Sequence, residues 1–292
     1  MISVLILTLN EEANLPACLE SVKWSDDIIV FDSFSTDRTV EIARAAGAQV
    51  FQRAFDNERE QRKDSLRLPF KYPWVYNPDA DEITTPELRD EILKVIADPV
   101  RPEVAYRVRF KTMFHGRWIR RSSLYPTWVV RLFQPDKISF ERTVNLRCLA
   151  HGLEGRLQNH FEHRTFNKGI AAWLDKHNHY SSQEAAESLR SLSSPSFKWG
   201  DLFSRAPVLR RRALKELSFR LPLRPLLRFF YMYFFRLGFL DGRPGLDYCL
   251  LLSMYEGMIV LKMREIRQMR AATAEIKSCT GVGLSRQAGM LR

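Results

Sequence analysis

The sequence predicts an α/β fold whose sheet is built on parallel strands, followed by a helical extension. Apolar runs alternate with amphipathic helical segments over residues 1–82. Helices between strands imply parallel pairing through right-handed crossovers. A long basic and aromatic region follows, and helical spacing continues through much of it. With 292 residues and 45% hydrophobic content, the chain can bury a full core and still carry an extension.

The first four strands are predicted from short apolar runs. Each run is bounded by polar or turn-forming residues, as is typical of buried strands in a parallel sheet. The last of them ends at Pro78, which cannot donate to a strand ladder. The runs cover residues 2–7, 27–32, 48–51 and 72–76.

The segments between these runs have helical spacing. We expect Ser35 or Thr36 to cap the second helix and Gly47 to end it. The third helix is predicted over residues 57–68, where charged side chains dominate. The first helix carries its apolar face on Leu15, Cys18, Leu19 and Val22.

Polar clusters follow three of the predicted strands at the point where each strand ends. They cover residues 8–11, 32–37 and 79–82. Because the carboxyl ends of parallel strands meet at one edge of a sheet, and ligands bind there in open α/β sheets, we expect the three clusters to line one site.

The cluster Asp79-Ala80-Asp81-Glu82 is a candidate metal site. Two carboxylates one residue apart can meet one hard cation, directly or through its water, while that cation holds a diphosphate. The alternative is a polar turn that leads into a helix, because Thr84 and Thr85 are good N-caps and Pro86 suits a first turn. The two interpretations are compatible.

The composition limits the classes of binding partner and the cellular compartment that we expect. The net charge of +11 predicts anionic partners: phosphates, nucleic acid or an acidic membrane surface. Charge alone suggests nucleic acid, and no base-reading motif supports it, so we expect no nucleic-acid partner. The 4 cysteines lack metal-ligand spacing, which indicates reduced thiols in a cytoplasmic protein. Met1 leads directly into the first apolar run and leaves no room for a signal peptide.

The motifs, taken in order, resemble the family 2 glycosyltransferases. Within that family the sequence is most similar to the lipopolysaccharide inner-core beta-1,4-glucosyltransferase group, over roughly residues 1–262. Matching clusters in order are more specific than any single one. The segments that carry the resemblance are 8–12, 30–39, 61–62, 79–82, 116–120, 125–126, 131–133, 176–182 and 236–243.

The resemblance implies a GT-A fold, which is Rossmann-like, and a donor that is a nucleotide-diphosphate sugar, usually a UDP-sugar. It also implies Mg²⁺ or Mn²⁺ across the diphosphate. Asp81 would ligate the metal, Asp79 would face the ribose and Asp32 would accept a hydrogen bond from the uracil edge. The base and ribose pocket would be lined by Thr8, Leu9, Asn10 and Glu11, with Glu11 toward the ribose.

Three further side chains are candidates for the same site. Arg62 is a candidate phosphate contact, or else part of a solvated helix face. Arg131 lies inside an apolar run, so we expect a buried partner for it and a place in the donor site. His163 matches a histidine that the family carries after its acceptor region, where it would reach the metal or the diphosphate; the alternative is a structural histidine.

The general base departs from the family pattern. The resemblance places a glutamate of a Val-His-Glu motif where this chain has Leu146, and a second acidic position is Thr127. General-base catalysis typically contributes a factor of about 100 to 10,000, so another group has to replace it. The candidates are Glu141, His151 and Glu82, or an acceptor that is already anionic.

Residues 205–243 suggest a location. They combine ten arginines or lysines, two carboxylates and runs of aromatic residues, which is typical of a helix in an anionic membrane interface. Residues 246–261 are apolar, but Asp247 and Glu256 interrupt them, and a span needs about 20 apolar residues. We predict a peripheral enzyme on the inner face of the cytoplasmic membrane. The alternative is that these helices pack on the catalytic domain or form a homo-oligomer interface.

We therefore predict a GT-A catalytic domain over residues 1–165, a helical basic and aromatic extension over 166–270, and a disordered tail over 271–292. The predicted function is metal-dependent, inverting transfer of a hexose from a UDP-sugar to a lipopolysaccharide-type or lipid-linked glycan acceptor. The alternative is a non-catalytic relative that binds a nucleotide sugar, or acts as a scaffold, and has lost the general base.

Overall fold

The computed structural model describes residues 1–123, 125–141, 146–193, 199–204, 209–210, 213 and 223–287. Within these ranges, the side chains of residues 191, 193, 199, 202 and 274–287 are not described. The chain forms two compact units. The first consists of Met1–Trp173 and Met232–Tyr248, and the second of Leu174–Tyr231 and Cys249–Arg292. The first unit therefore includes a segment that the sequence placed in the extension.

The strands of the described residues all lie in the first unit. Their order along the chain places four short strands first and the two longest, β6 and β11, later. They are β1 (Ser3–Thr8), β2 (Ile28–Asp32), β3 (Gln49–Gln52), β4 (Val75–Tyr76), β5 (Glu82–Thr84), β6 (Glu103–Phe114), β7 (Arg117–Trp118), β8 (Trp128–Phe133), β9 (Ile138–Glu141), β10 (Arg147–Ala150) and β11 (Leu153–His163).

Nine of these strands form one mixed sheet among the described residues, in the order β3-β2-β1-β4-β8-β6-β11-β5, with β7 paired to β6. Strands β1 to β4 pair in parallel, which confirms the prediction for residues 1–82. Strand β8 is antiparallel to both of its neighbours, and β11 is parallel to β6. A separate hairpin joins β9 and β10.

Strand β4 is shorter than the run that predicted it. Pro73 has no N–H to donate to a ladder. At the other end, the side-chain amide of Asn77 donates to the backbone carbonyl of Leu5 in β1, at 2.7 Å. An isolated parallel bridge between Leu7 and Asp79 then continues the pairing, so the acidic cluster is held directly beside the end of β1.

Four helices complete the sheet region: α1 (Leu15–Val22), α2 (Thr39–Ala45), α3 (Glu58–Ser65) and α4 (Pro86–Ile96). The predicted apolar face of α1 is buried. Thr85 caps α4 by accepting from the N–H of Leu88, as predicted. The predicted cap of α2 is wrong: the helix starts after Arg38 without a side-chain cap, because Ser35 is bonded to Asp32 instead.

The two faces of the sheet are covered differently. Helices α1, α2 and α4 bury one face, through residues such as Leu15, Ala43 and Ile92. On the other face, Leu66, which follows α3, and Phe140 of the β9–β10 hairpin pack against the core. The helices cover one face of the sheet and the hairpin covers part of the other. The edge formed by the carboxyl ends of the parallel strands lies between them and can form a site.

The second unit is helical where it is described. Helix α5 (Gly169–Ser193) enters it from the first unit, followed by α6 (Arg224–Phe230) and α7 (Gly242–Gln287). In the part of α7 that belongs to this unit, Ile259 and Met263 pack on Ala185 and Leu189 of α5. The helix α7 continues to Gln287, through residues that we expected to lack regular structure.

Two sequence expectations bear on these helices. Glu256, which interrupts the apolar stretch, lies 2.6 Å from the guanidinium of Arg224, so the stretch is used for packing within its unit. No helix among the described residues is long and apolar enough to cross a membrane. Most of residues 205–222, including Arg211 and Arg212 of the basic run, lie outside the described residues.

The cysteines fit the expectation of reduced packing residues. Cys18 and Cys148 are free thiols, and Cys249 is buried. Burial raises the pKa of Cys18 well above its usual value, which keeps the thiol protonated and unreactive. The side chain of Cys279 lies outside the described residues.

Candidate active site

The three polar clusters predicted to share one edge do so. Thr8 at the end of β1 lies beside Asp32 at the end of β2 in register, and Leu7 is bridged to Asp79. Parallel pairing therefore brings residues far apart in the sequence to a single rim.

Arg131 holds the acidic cluster together from the neighbouring strand β8. Its Nη2 donates to Asp79 and, at 2.5 Å, to Glu82. Arg62 of α3 donates to Asp79 at 3.1 Å and to Asn77 at 3.1 Å. Arg131 thus has the buried acidic partner that the sequence predicted, Glu82, and a second, partly exposed partner, Asp79. Both guanidiniums donate hydrogen bonds within the protein. Their positive charge can still attract a phosphate to the rim.

Burial and these arginines set the protonation of the cluster. Burial alone would raise the pKa of Asp79, but the charges of Arg131 and Arg62 hold that pKa well below the usual range. Burial raises the pKa of Glu82 to about 7, against the opposing charge of Arg131. Asp79 is therefore ionised at neutral pH, whereas burial shifts Glu82 toward its protonated form, against its pairing with Arg131.

Asp81 and His163 form the part of the cluster that is partly open. The Nε2 atom of His163 lies 3.3 Å from Oδ2 of Asp81, and both side chains are only partly buried. Burial lowers the pKa of His163, but its bond to Asp81 and the surrounding carboxylates outweigh this and raise it. Strand β11 brings His163 next to Glu82 of β5 by antiparallel pairing, a contact that sequence order alone does not give.

These two groups are a partial set of ligands for a divalent cation. Among the described residues, no cluster of three or more histidine, cysteine or acidic side chains can enclose a metal ion. One carboxylate and one imidazole are nevertheless a suitable partial set, because Mg²⁺ and Mn²⁺ in phosphate sites take few protein ligands and keep water and phosphate oxygens.

Asp32 is placed differently from its predicted role. It is fully buried, and its two oxygens accept bonds from the Thr8 hydroxyl, the Ser35 N–H and hydroxyl, and the Gln52 amide. A carboxylate has about four acceptor positions, so these donors satisfy it. The prediction that Asp32 accepts from a uracil edge disagrees with this geometry, in which Asp32 fixes the loop after β2.

The residues after β1 form an ordered rim. Thr8 is buried against Asp32, and Leu9 is exposed. Asn10 has a positive φ of 56° and accepts from the N–H of Thr36 at 2.8 Å. Glu11 pairs with Lys168 at 2.6 Å. Sequence reasoning missed Lys168, because its contact joins positions 157 residues apart.

Phe34 is a second residue that sequence reasoning missed. It follows β2 with a φ of 59°, a conformation that is unfavourable for a bulky side chain. Its ring is 55% exposed. The flanking serines hold the backbone in place, since Ser33 donates its N–H to the Thr8 carbonyl and Ser35 is bonded to Asp32. An exposed aromatic ring is therefore held in a strained position at the rim.

The candidate bases are not equivalent in the structure. Glu82 is 1% exposed, and its oxygens accept from Arg131 and from the N–H of Asp79, so it has no access to an acceptor. Glu141 is exposed at the end of β9. His151 is exposed and lies 2.9 Å from the Ser139 hydroxyl. Leu146 is half-buried beside β10, and residues 142–145 lie outside the described residues.

A cavity of about 460 Å³ lies at the end of β11. The residues on either side of His163 line it, Glu162 and Arg164, and the Arg164 N–H also donates to the Asp81 carbonyl at 2.8 Å. The rest of the lining comes from the end of β6 and from the turn after β11, including Phe114, His115, Gly116 and Phe166. This lining combines aromatic side chains with charged groups.

Comparison with known proteins gives one family. The model described as "Glycosyl transferase family 2" matches residues 3–163. An uncharacterized glycosyltransferase of Rickettsia typhi is 27% identical over 276 residues, which cover 91% of this chain and 87% of that protein. The lipopolysaccharide core biosynthesis glycosyltransferase LpsC of Rhizobium meliloti is 26% identical over 209 residues, covering 67% of this chain and 74% of that protein.

Solved structures show weaker similarity. Glucosyl-3-phosphoglycerate synthase from Mycobacterium tuberculosis, in complex with Mg²⁺ and uridine-diphosphate, is 22% identical with a TM-score of 0.35, covering 47% of this chain and 57% of that chain. Similarity at this level does not place a ligand in the present chain.

Proposed function

This chain belongs to glycosyl transferase family 2 and has the GT-A fold, and on that basis we propose that it moves a hexose from a UDP-sugar to a lipopolysaccharide-type or lipid-linked glycan acceptor. The observation that carries the proposal is the acidic cluster at the carboxyl edge, with Arg131 and Arg62 behind Asp79 and with Asp81 beside His163. The similarity to a lipopolysaccharide core enzyme supports the acceptor class.

Asp81 and His163 are the residues that would hold Mg²⁺ or Mn²⁺. The ion supplies charge that stabilises the leaving diphosphate. The site is preorganised for this charge. Asp79 stays ionised, and Arg131 and Arg62 fix its position, so the rim needs little rearrangement when a donor binds. His163 has to be neutral to act as a ligand, whereas its bond to Asp81 favours the protonated form in this structure.

Recognition of the nucleoside falls to the groups that remain open at the rim. Leu9 and Phe34 are exposed apolar side chains on the loops after β1 and β2, and Glu11 is partly open beside Lys168. Asp32 acts indirectly, because it locks the loop that carries Phe34. We assign base selection to backbone groups of these two loops and to the apolar side chains, rather than to the Asp32 carboxylate.

We place the acceptor at the cavity that Glu162 and Arg164 line, with Glu141 and His151 as the candidate bases. Inversion requires a group that removes a proton from the acceptor hydroxyl opposite the leaving diphosphate. We expect one of the substitutions Glu141→Gln and His151→Ala to lower kcat by at least about 100-fold without changing UDP affinity. Glu82→Gln is the comparison: its effect should appear in stability. If both exposed variants keep full activity, the base is carried by the acceptor.

A transfer assay tests the proposed function. Purified protein is incubated with Mn²⁺, a panel of nucleotide sugars and a truncated lipopolysaccharide acceptor, and nucleotide release and labelled glycan are measured. We expect a UDP-hexose to be consumed only when acceptor is present, and Asp81→Asn to abolish it. UDP binding without transfer from any donor would support the non-catalytic alternative, to which the loss of the usual base at Leu146 points.

The proposed location is the inner face of the cytoplasmic membrane, where a glycolipid acceptor would be reached. Residues 205–243 were the predicted contact, and most of residues 205–222 lie outside the described residues. A better defined surface lies on the first unit.

A further inference from the structure

Asp241 ties two distant loops of the first unit into one joint. Its carboxylate accepts the consecutive backbone N–H groups of Arg120, Arg121 and Ser122 at 3.2, 2.8 and 2.7 Å. The Ser122 hydroxyl donates to it as well, at 2.8 Å. Hydrogen bonds to an ionised acceptor are about twice as strong as neutral ones. The loop after β7 and the turn before α7 are therefore fixed relative to each other.

Two glycines let the joint close. A Cβ atom on Gly238 would lie 2.7 Å from the carbonyl oxygen of Met232, and one on Gly245 would lie 2.5 Å from the carbonyl oxygen of Gly238. Both are far inside normal contact distance, and the Ser122 hydroxyl crowds both positions. Backbone packs on backbone here, which makes the joint rigid and gives these glycines a specific purpose.

The turn that the joint holds presents large apolar side chains to solvent. Phe235 is 84% exposed and Leu240 is 60% exposed. Phe234, Leu237 and Phe239 are also exposed. We call residues 234–240 the aromatic turn. Scattered exposed apolar residues are normal, but a run of them held in place by a rigid joint marks an interaction surface.

The loop on the other side of the joint is basic. Arg117, Arg120, Arg121 and Arg243 are all exposed. In the described part of the chain none of the four forms an ion pair, and the Arg120 guanidinium lies over the Trp118 ring. The Asp241 carboxylate is bonded to the backbone N–H groups of Arg120 and Arg121. We call these four arginines the basic rim of the aromatic turn.

We propose that the aromatic turn and its basic rim form a docking surface for an anionic phospholipid bilayer. Exposed aromatic and aliphatic side chains beside arginines match the chemistry of a membrane interface, where apolar groups enter the acyl boundary and arginines meet lipid phosphates. Complementary charge is what selects a bilayer over a second copy of this chain, since two copies of a surface with four arginines would repel each other.

The surface adjoins the cavity assigned to the acceptor. His115 and Gly116 line that cavity, and Arg117 of the basic rim follows directly in the β6–β7 hairpin. Docking through the hairpin would bring the cavity to the lipid surface, where a lipid-linked glycan would enter it. In this respect the inference rests on the proposed function; vesicle binding itself does not depend on catalysis.

Vesicle co-sedimentation tests the docking surface. The full chain is mixed with phosphatidylcholine vesicles that contain either no or about one-third phosphatidylglycerol, at low and high salt. We expect binding only to the anionic vesicles and a marked loss at high salt, because surface charges are screened beyond about 8 Å at physiological ionic strength. The triple variant Arg117→Gln, Arg121→Gln, Arg243→Gln should lower the partition coefficient by about 100-fold.

Matched controls separate docking from general effects. Lys23→Gln, Arg44→Gln, Lys94→Gln removes the same charge from exposed positions in or at the end of helices of the first unit and should bind vesicles like the wild type. Phe235→Ser, Leu240→Ser should weaken the binding that survives high salt by at least about 10-fold. UDP binding by each variant, measured in parallel, reports on the donor site: its absence in the wild type would count against the proposed function and leave the docking result standing.

Three outcomes would overturn the docking surface. One is wild-type protein that stays in the supernatant with anionic vesicles at low salt. Another is equal vesicle binding by the basic-rim variant and its charge-matched control. The third is concentration-dependent dimerisation in size-exclusion chromatography that Phe235→Ser, Leu240→Ser abolishes, in protein that ignores vesicles, which would assign the surface to a second copy.

Discussion

The carboxyl edge of the sheet and the docking surface use charged residues in opposite ways. At the edge, Asp32 and Asp79 are bonded inside the protein, to hydroxyl and amide donors in one case and to two arginines in the other. At the docking surface a single carboxylate, Asp241, is bonded to backbone, and the arginines around it stay exposed. The first arrangement prepares a rim for a small charged ligand, and the second leaves charge available to an extended surface.

The largest effect that tests this contrast is removal of Arg131. Arg131→Met leaves Asp79 and Glu82 without their shared partner, and breaking a buried ion pair typically costs about 3–5 kcal/mol. Urea unfolding should show that loss. Arg107→Met is the matched control on the neighbouring strand, because its pair with Glu154 is partly exposed and should contribute less than about 1 kcal/mol. Equal losses for the two would mean that the edge does not depend on its buried charges.

A smaller loss is expected at the joint. In Asp241→Asn the side-chain amide offers one acceptor oxygen to three backbone N–H groups, and its NH₂ group faces donors. We expect the free energy of unfolding to fall by about 2 kcal/mol. Asp136→Asn is the control, since its side chain is 71% exposed beside Lys137. An unchanged melting temperature for Asp241→Asn would show that the two loops are not joined in solution.

The smallest effect should have the opposite sign. Phe34→Gly removes a ring that is 55% exposed from a backbone with a φ of 59°, where glycine is favoured. We expect a gain in stability of about 0.5–1 kcal/mol. Phe55 is the control, because its ring is 53% exposed and it is not among the residues with positive φ. Phe55→Gly should not stabilise the protein, and equal shifts for both variants would exclude strain at Phe34.

The sequence predicts the sheet region well because local signals and topology agree there. Apolar runs separated by helices force parallel pairing, and that pairing alone carries Thr8, Asp32 and Asp79 to one edge. The cap at Thr85 and the apolar face of α1 follow from short-range rules. The apolar run around Arg131 also predicts a buried strand, and an arginine in such a strand requires a buried acidic partner.

The sequence does not predict the contacts that form only when distant parts of the chain come together in the fold. Asp32 resembles an open donor ligand until Gln52, on the neighbouring strand, is seen to complete its bonding. The Lys168 partner of Glu11 and the bonds from Asp241 to the loop at Arg121 join positions more than 100 residues apart. A sequence motif marks such residues but does not show whether their charges face a ligand or the protein.

The most direct test of the donor site is calorimetric titration of UDP into the full chain, with Mn²⁺ and with a chelator. We predict UDP binding that weakens at least about 10-fold when the metal is removed, because Asp81 and His163 would hold the ion and its charge would stabilise the bound diphosphate. We also predict that Asp81→Asn binds UDP equally weakly in both conditions while melting as a folded protein. Wild-type protein that ignores UDP, or Asp81→Asn that keeps the full metal-dependent affinity, would contradict a metal-bridged donor site at Asp81.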